Sequence, residues 1–154
     1  MDLYLMQHGE ATSEADDPAR PLTVAGRTAV AQVAARAQTA GVRIDTCMHS
    51  GKLRAEQTAL VLADAVAGGR VESLDGLAPN DPIAPVVQWL GGRTDSSIAL
   101  VGHLPFLDRL ASSLVAGDED GQVISFHMGG LVKLVPKRDR DGFAVAWVLA
   151  PDIV

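Results

Sequence analysis

Short apolar runs alternate along this chain with longer stretches whose apolar residues recur every three or four positions, and few architectures accommodate that rhythm. Residues 3–6 (Leu-Tyr-Leu-Met), 43–48, 70–74 and 97–101 (Ser-Ile-Ala-Leu-Val) read as strands. Between them, residues 24–39, 52–67, 80–90 and 105–115 read as helices. Thr23 suits the N-cap of the first, where Val30, Val33, Ala34 and Ala37 share one face and Gly41 ends the run. Ala59, Leu62, Ala63 and Val66 line one face of the second. Residues 10–22 are polar and hold Pro18 and Pro21, so they form a loop. The last third differs: apolar runs at 130–136 and 143–149 are joined by a charged turn ending Asp141-Gly142, a hairpin signal. The expectation is an α/β fold, a three-layer α/β/α sandwich. Its central sheet is mostly parallel, with an antiparallel element and a C-terminal hairpin.

Composition narrows the function. Residues 1–154 form a single expected domain, and 47% hydrophobic against 21% charged residues is too apolar for disorder. Aromatics are 4%, so the core must rest on Ala, Val and Leu. Thirteen Lys and Arg against 19 Asp and Glu leave a net charge of −6, which argues against nucleic acid as a partner. No stretch has the roughly 20 apolar residues of a membrane helix, and no basic leader precedes the first strand, so a soluble cytoplasmic protein is expected. Cys47 is the sole cysteine, which excludes an intrachain disulfide and a cysteine-based zinc site.

In open α/β sheets, ligands bind beyond the carboxyl ends of the strands. His8 follows the first strand and precedes Gly9, and His103 follows the 97–101 strand and Gly102. A third strand end, Met48-His49-Ser50-Gly51, leads into a helix whose start carries Lys52 and Arg54. Free N–H groups and the positive end of the dipole favour an anion there. Two imidazoles, Arg54 and Lys52 together point to phosphate. His49 and His127 read as structural residues. Gly51-Lys52 is not a P-loop, since Thr46 and Leu53 stand where Gly and Ser or Thr belong.

These residues resemble the histidine phosphatase superfamily, and within it the small SixA-type phosphohistidine phosphatases. The matching segments are Leu3-Tyr-Leu-Met-Gln-His-Gly-Glu10, Arg20-Pro-Leu-Thr23 with Gly26, Ser50 with Leu53-Arg-Ala-Glu-Gln-Thr58, and Val101-Gly-His-Leu-Pro105. The resemblance implies the phosphoglycerate mutase-like fold. It further implies His8 as nucleophile, passing through a covalent phosphohistidine, and Arg54 and His103 as ligands of the phosphoryl oxygens. Gln7, Gly9, Arg20 and Lys52 would contact substrate, with no metal and no cofactor. One position departs: Gln7 stands where the family's Arg-His-Gly has Arg, so one guanidinium fork is missing.

A general acid is less evident. Asp75 and Asp81 are candidates, Asp81 the stronger, while Glu10 is placed to orient its loop. A phosphohistidine leaves as imidazole and needs an acid less than an alkoxide does. The expected reaction is therefore metal-independent dephosphorylation of phosphohistidine in a protein, a histidine-phosphotransfer domain being one such partner. The alternatives are a phospholigand-binding module of little or no activity, a small-molecule phosphomonoesterase, and, most remotely, a metal hydrolase using His8, His49 and His103.

Overall fold

The computed structural model describes all 154 residues. The elements run β1 (Asp2–Gln7), α1 (Val24–Thr39), β2 (Thr46–His49), α2 (Leu53–Ala65), β3 (Arg70–Ser73), α3 (Ala84–Gly91), β4 (Ser97–Gly102), α4 (Phe106–Ala116), β5 (Leu131–Pro136) and β6 (Phe143–Leu149), with a closing 3₁₀ turn at Pro151–Ile153. The six strands form one sheet in the order β3-β2-β4-β1-β5-β6. The β3-β2-β4-β1 portion is parallel, and β5 and β6 join antiparallel. This is the expected α/β architecture with its antiparallel element and terminal hairpin.

Strand alternation divides the core between the sheet's two faces. Tyr4 and Met6 of β1, with Ala99 and Val101 of β4, pack under α1 and α2. Leu3 and Leu5, with Ile98 and Leu100, pack under α3 and α4. α1 is capped as expected: the Thr23 hydroxyl accepts from the Gly26 N–H at 2.9 Å.

Several boundaries moved for local reasons. β2 opens at Thr46, not 43, because the Asp45 carboxylate receives the Ser96 and Ser97 N–H groups and holds the chain outside the ladder. α3 opens at Ala84, because Ala78 and Asp81 close a turn: the Ala78 N–H donates to the Asp81 carboxylate at 2.9 Å, and the Asp81 N–H returns to the Ala78 carbonyl. In the β5–β6 turn, Gly142 has φ +99°, a conformation that L side chains rarely adopt.

Register places the functional end. Gln7 pairs with Gly102, and His49 with Val101, so β1, β2 and β4 finish at one level. The residues that follow, His8, Ser50 and His103, therefore gather on one edge. β5 runs the other way, Leu131 beside Met6 and Leu134 beside Leu3, so the β5–β6 turn lies at the far end.

Candidate active site

His8 leaves β1 with its backbone still held by the sheet, its N–H donating to the Gly102 carbonyl at 3.0 Å. The Gly129 N–H binds the carbonyls of Gln7 and His8 from the β5 side. The turn at Gly9 packs so closely on α1 that a Cβ there would meet Val30 Cγ2 at 2.8 Å and the Gly26 carbonyl at 3.0 Å. Only glycine fits this path.

The His8 ring is held in one orientation. Its Nδ1 lies 2.7 Å from the Gly9 carbonyl, which can only accept, so the proton sits on Nδ1. The Nε2 lone pair faces the other side, where it accepts a long hydrogen bond from the Arg54 Nε–H at 3.4 Å. Arg54 occupies the first turn of α2. Thr58, one turn on, locks the two segments together. Its hydroxyl donates to the Arg54 carbonyl at 2.7 Å and accepts the Gly9 N–H at 3.1 Å.

His103 follows β4, and its ring lies 5.0 Å from that of His8, centroid to centroid, tilted by 54°. Its Nε2 is hydrogen-bonded to Ser50 Oγ at 2.6 Å, and its buried Nδ1 has no partner. Burial, reinforced by competition with the His8 ring for a proton and by the positive charges of Arg54, Lys52 and Arg20, lowers its pKa to about 3. Burial also lowers the pKa of His8, opposed by the Gly9 carbonyl and reinforced by Arg54 and Arg20. Both rings are neutral at pH 7, so His8 Nε2 carries the lone pair a nucleophile needs.

The sequence-derived residues thus converge in part. His8, Arg54 and His103 meet directly. Arg20 bears on both rings through its charge, and Lys52 on that of His103. Arg20 is held in a left-handed backbone conformation (φ +50°) while its Nε donates to the Thr12 carbonyl. Lys52 is the exposed N-cap of α2. Strand parity puts Gln7 on the side of Leu3 and Leu5, and its amide makes no hydrogen bond within the chain. The Asp81 hydrogen bonds go to the Ala78 N–H and to Arg109, neither at the histidines. Glu10 accepts from the Thr23 hydroxyl at 2.9 Å and ties the loop to α1. His49 accepts from the Gly51 N–H, and His127 is exposed. No group of three or more His, Cys, Asp or Glu side chains is arranged to hold a metal ion.

Sequence reasoning gave Ser50, Gln57 and Thr58 no separate role. Ser50 holds His103, Thr58 bridges Gly9 and Arg54, and Gln57 accepts the Leu22 N–H at 2.8 Å, fixing the end of the Arg20 loop. Their signals were membership of the matching segments and position: each stands beside a strand end or on the first turns of the anion-facing helix.

No family model matches the chain. It is 35% identical over 140 residues to an uncharacterized protein from Picosynechococcus sp., covering 87% of this chain and 84% of that one. It is 30% identical over 123 residues to the phosphohistidine phosphatase SixA of Escherichia coli K12, covering 77% of this chain and 76% of that one. Among solved structures it is similar to the protein histidine phosphatase SixA complexed with tungstate, with TM-score 0.86, 25% identity, and 99% and 98% of the two chains covered. No helix is long and apolar enough to cross a membrane. With that relative and that shared architecture, the chain belongs to the histidine phosphatase superfamily, as a phosphatase of its SixA-type branch.

Proposed function

We propose that this protein removes the phosphoryl group from phosphohistidine in a protein, without a metal ion, through a covalent intermediate on His8. The observation that carries the reading is the convergence on one point: Arg54 Nε lies 3.4 Å from His8 Nε2, with the His103 ring beside them. Tungstate, present in the similar SixA structure, is a tetrahedral oxyanion of the kind such a cluster accommodates.

The Nε2 lone pair attacks phosphorus in line with the substrate's P–N bond. That bond breaks, and its electron pair goes to the substrate imidazole. With its other nitrogen already protonated, this imidazole leaves neutral, so no strong protein acid is required. His8 now carries phosphate on Nε2 and hydrogen on Nδ1, a cation stabilised by the Gly9 carbonyl. Arg54, His103 and the nearby Arg20 and Lys52 oppose the charge on the equatorial oxygens through both steps. Water then attacks phosphorus, the N–P electron pair returns to His8, and a water proton departs with solvent. Asp81, engaged in its turn, has no assigned step.

Rapid quench with a labelled phosphohistidine donor tests this. The expected result is an acid-labile, base-stable phosphoenzyme in the wild type, absent in His8→Ala, with turnover unaffected by EDTA. Normal turnover by His8→Ala would end the proposal. Gln7 favours a second reading, a phospholigand-binding module, because the family guanidinium is missing at that position. Phosphate or tungstate binding with no trapped phosphoenzyme identifies it.

A further inference from the structure

Beside the histidines, the start of α4 and the irregular stretch 122–126 enclose an open cavity of about 440 Å³ that the chemistry above does not use. Leu104 and Pro105, which directly follow His103 in the chain, line it, and Ile124 and Phe126 contribute more apolar wall. Leu104 is exposed, as are Val123 and Met128 in the neighbouring stretch.

Asp108 lines the same cavity, and its carboxylate forms no hydrogen bond or ion pair. Its Oδ1 is buried without a partner, and burial raises its pKa. The cation beside it in sequence is committed elsewhere, Arg109 binding Glu119 at 3.2 Å and the Asp81 carbonyl. A place in the first turn of α4 suits a negative charge, yet the Leu107 and Arg109 N–H groups are already bonded to the His103 and Pro105 carbonyls. An unpaired, partly desolvated carboxylate is unfavourable until a donor reaches it.

Charge is therefore divided around His103. Arg20, Lys52 and Arg54 act on it from the phosphoryl side, while the adjoining cavity presents one unpaired carboxylate beside an apolar wall, with Gln122 and Ser125 completing the lining. We propose that this cavity is a substrate subsite that receives a lysine or arginine side chain lying close to the phosphorylated residue of a polypeptide. The apolar wall covers the aliphatic stem, and Asp108 pairs with the cationic head. A small phosphate ester offers no group of that kind. The inference rests on the phosphohistidine-protein reading and adds the local sequence that such a substrate carries.

The test uses phosphohistidine peptides with a single Lys, or a single Glu, moved stepwise along either side of the phosphorylated residue. The best Lys peptide is expected to exceed its Glu counterpart about tenfold in kcat/KM. Asp108→Asn removes the preference. Asp108→Lys inverts it toward Glu, a gain that misfolding does not produce. Asp139→Lys, the same charge change in the exposed β5–β6 turn, leaves it intact. Equal turnover of Lys and Glu peptides by the wild type, or a preference that survives in Asp108→Asn, overturns the subsite alone. Hydrolysis of an aryl phosphate with no turnover of any phosphohistidine peptide overturns the substrate reading, and the subsite with it.

Discussion

The two faces of the sheet are filled with different side chains. Under α1 and α2 the core uses small residues, among them Ala34, Cys47, Ala55, Ala59 and Ala63. Under α3 and α4 it uses Leu, Ile and Phe106. Small residues let a helix backbone sit near the sheet; large ones bury more apolar area. The close-set face is the one that carries α2 and its Arg54. There α2 brings Arg54 to His8, and Thr58 bonds to the Gly9 backbone. One face serves mainly to hold Arg54 and Thr58 against His8 and Gly9, and the other supplies most of the bulky burial.

The sharpest way to break that contrast compares Arg54→Ala with Leu110→Ala. Arg54→Ala should lower kcat by roughly 10²–10³, about 3–4 kcal/mol in the transition state, with little change in denaturation midpoint. Leu110, fully buried on the bulky face, should cost about 3 kcal/mol of stability on truncation, while the folded fraction keeps its turnover rate. If Leu110→Ala instead slows the folded enzyme, the division of labour is wrong. Ala59→Leu should cost about 1–3 kcal/mol by overpacking and also lower kcat, because α2 must move off the sheet. Urea denaturation and steady-state assays on the same sample separate the two effects.

Gln7→Arg sharpens the comparison from the β1 side. A restored guanidinium should raise kcat/KM on an aryl phosphate roughly tenfold by adding a charge-assisted contact. No gain would mean that Arg20 and Lys52 already supply that charge.

Stability should also depend on pH. His8 and His103 are both harder to protonate in the native protein than in the unfolded chain, where the pKa is about 6.5. Below about pH 6.5 the unfolded chain therefore takes up protons that the native state refuses, and stability falls as pH drops toward the His103 value of about 3. His103→Asn should flatten that slope in urea midpoints measured across the range. An unchanged slope would show that His103 is not held neutral.

Much of this was legible in the sequence because local pattern and topology agree. The unbroken apolar runs of β1 and β4 announce strands covered on both faces, and a histidine just after each emerges at the sheet's carboxyl edge. The hairpin was readable from Asp141-Gly142. The hydroxyl contacts were not: Ser50 meets His103 across 53 positions, and Thr58 meets Gly9 across 49, so nothing local marks them. The α3 start at Ala84 was hidden by Asp81, whose carboxylate suits a helix cap and a tight turn equally well. Asp108 carries no signal in the sequence, since an acid in a helix's first turn is commonplace and only the fold shows that it lacks a partner.

The antiparallel return of β5 has a practical outcome. It sends the turn around Gly142 to the pole opposite His8, where Arg138, Asp139 and Arg140 face solvent. A surface linker or fluorophore attached there would hold the protein with its histidine pole outward, leaving that end open to a partner of any size.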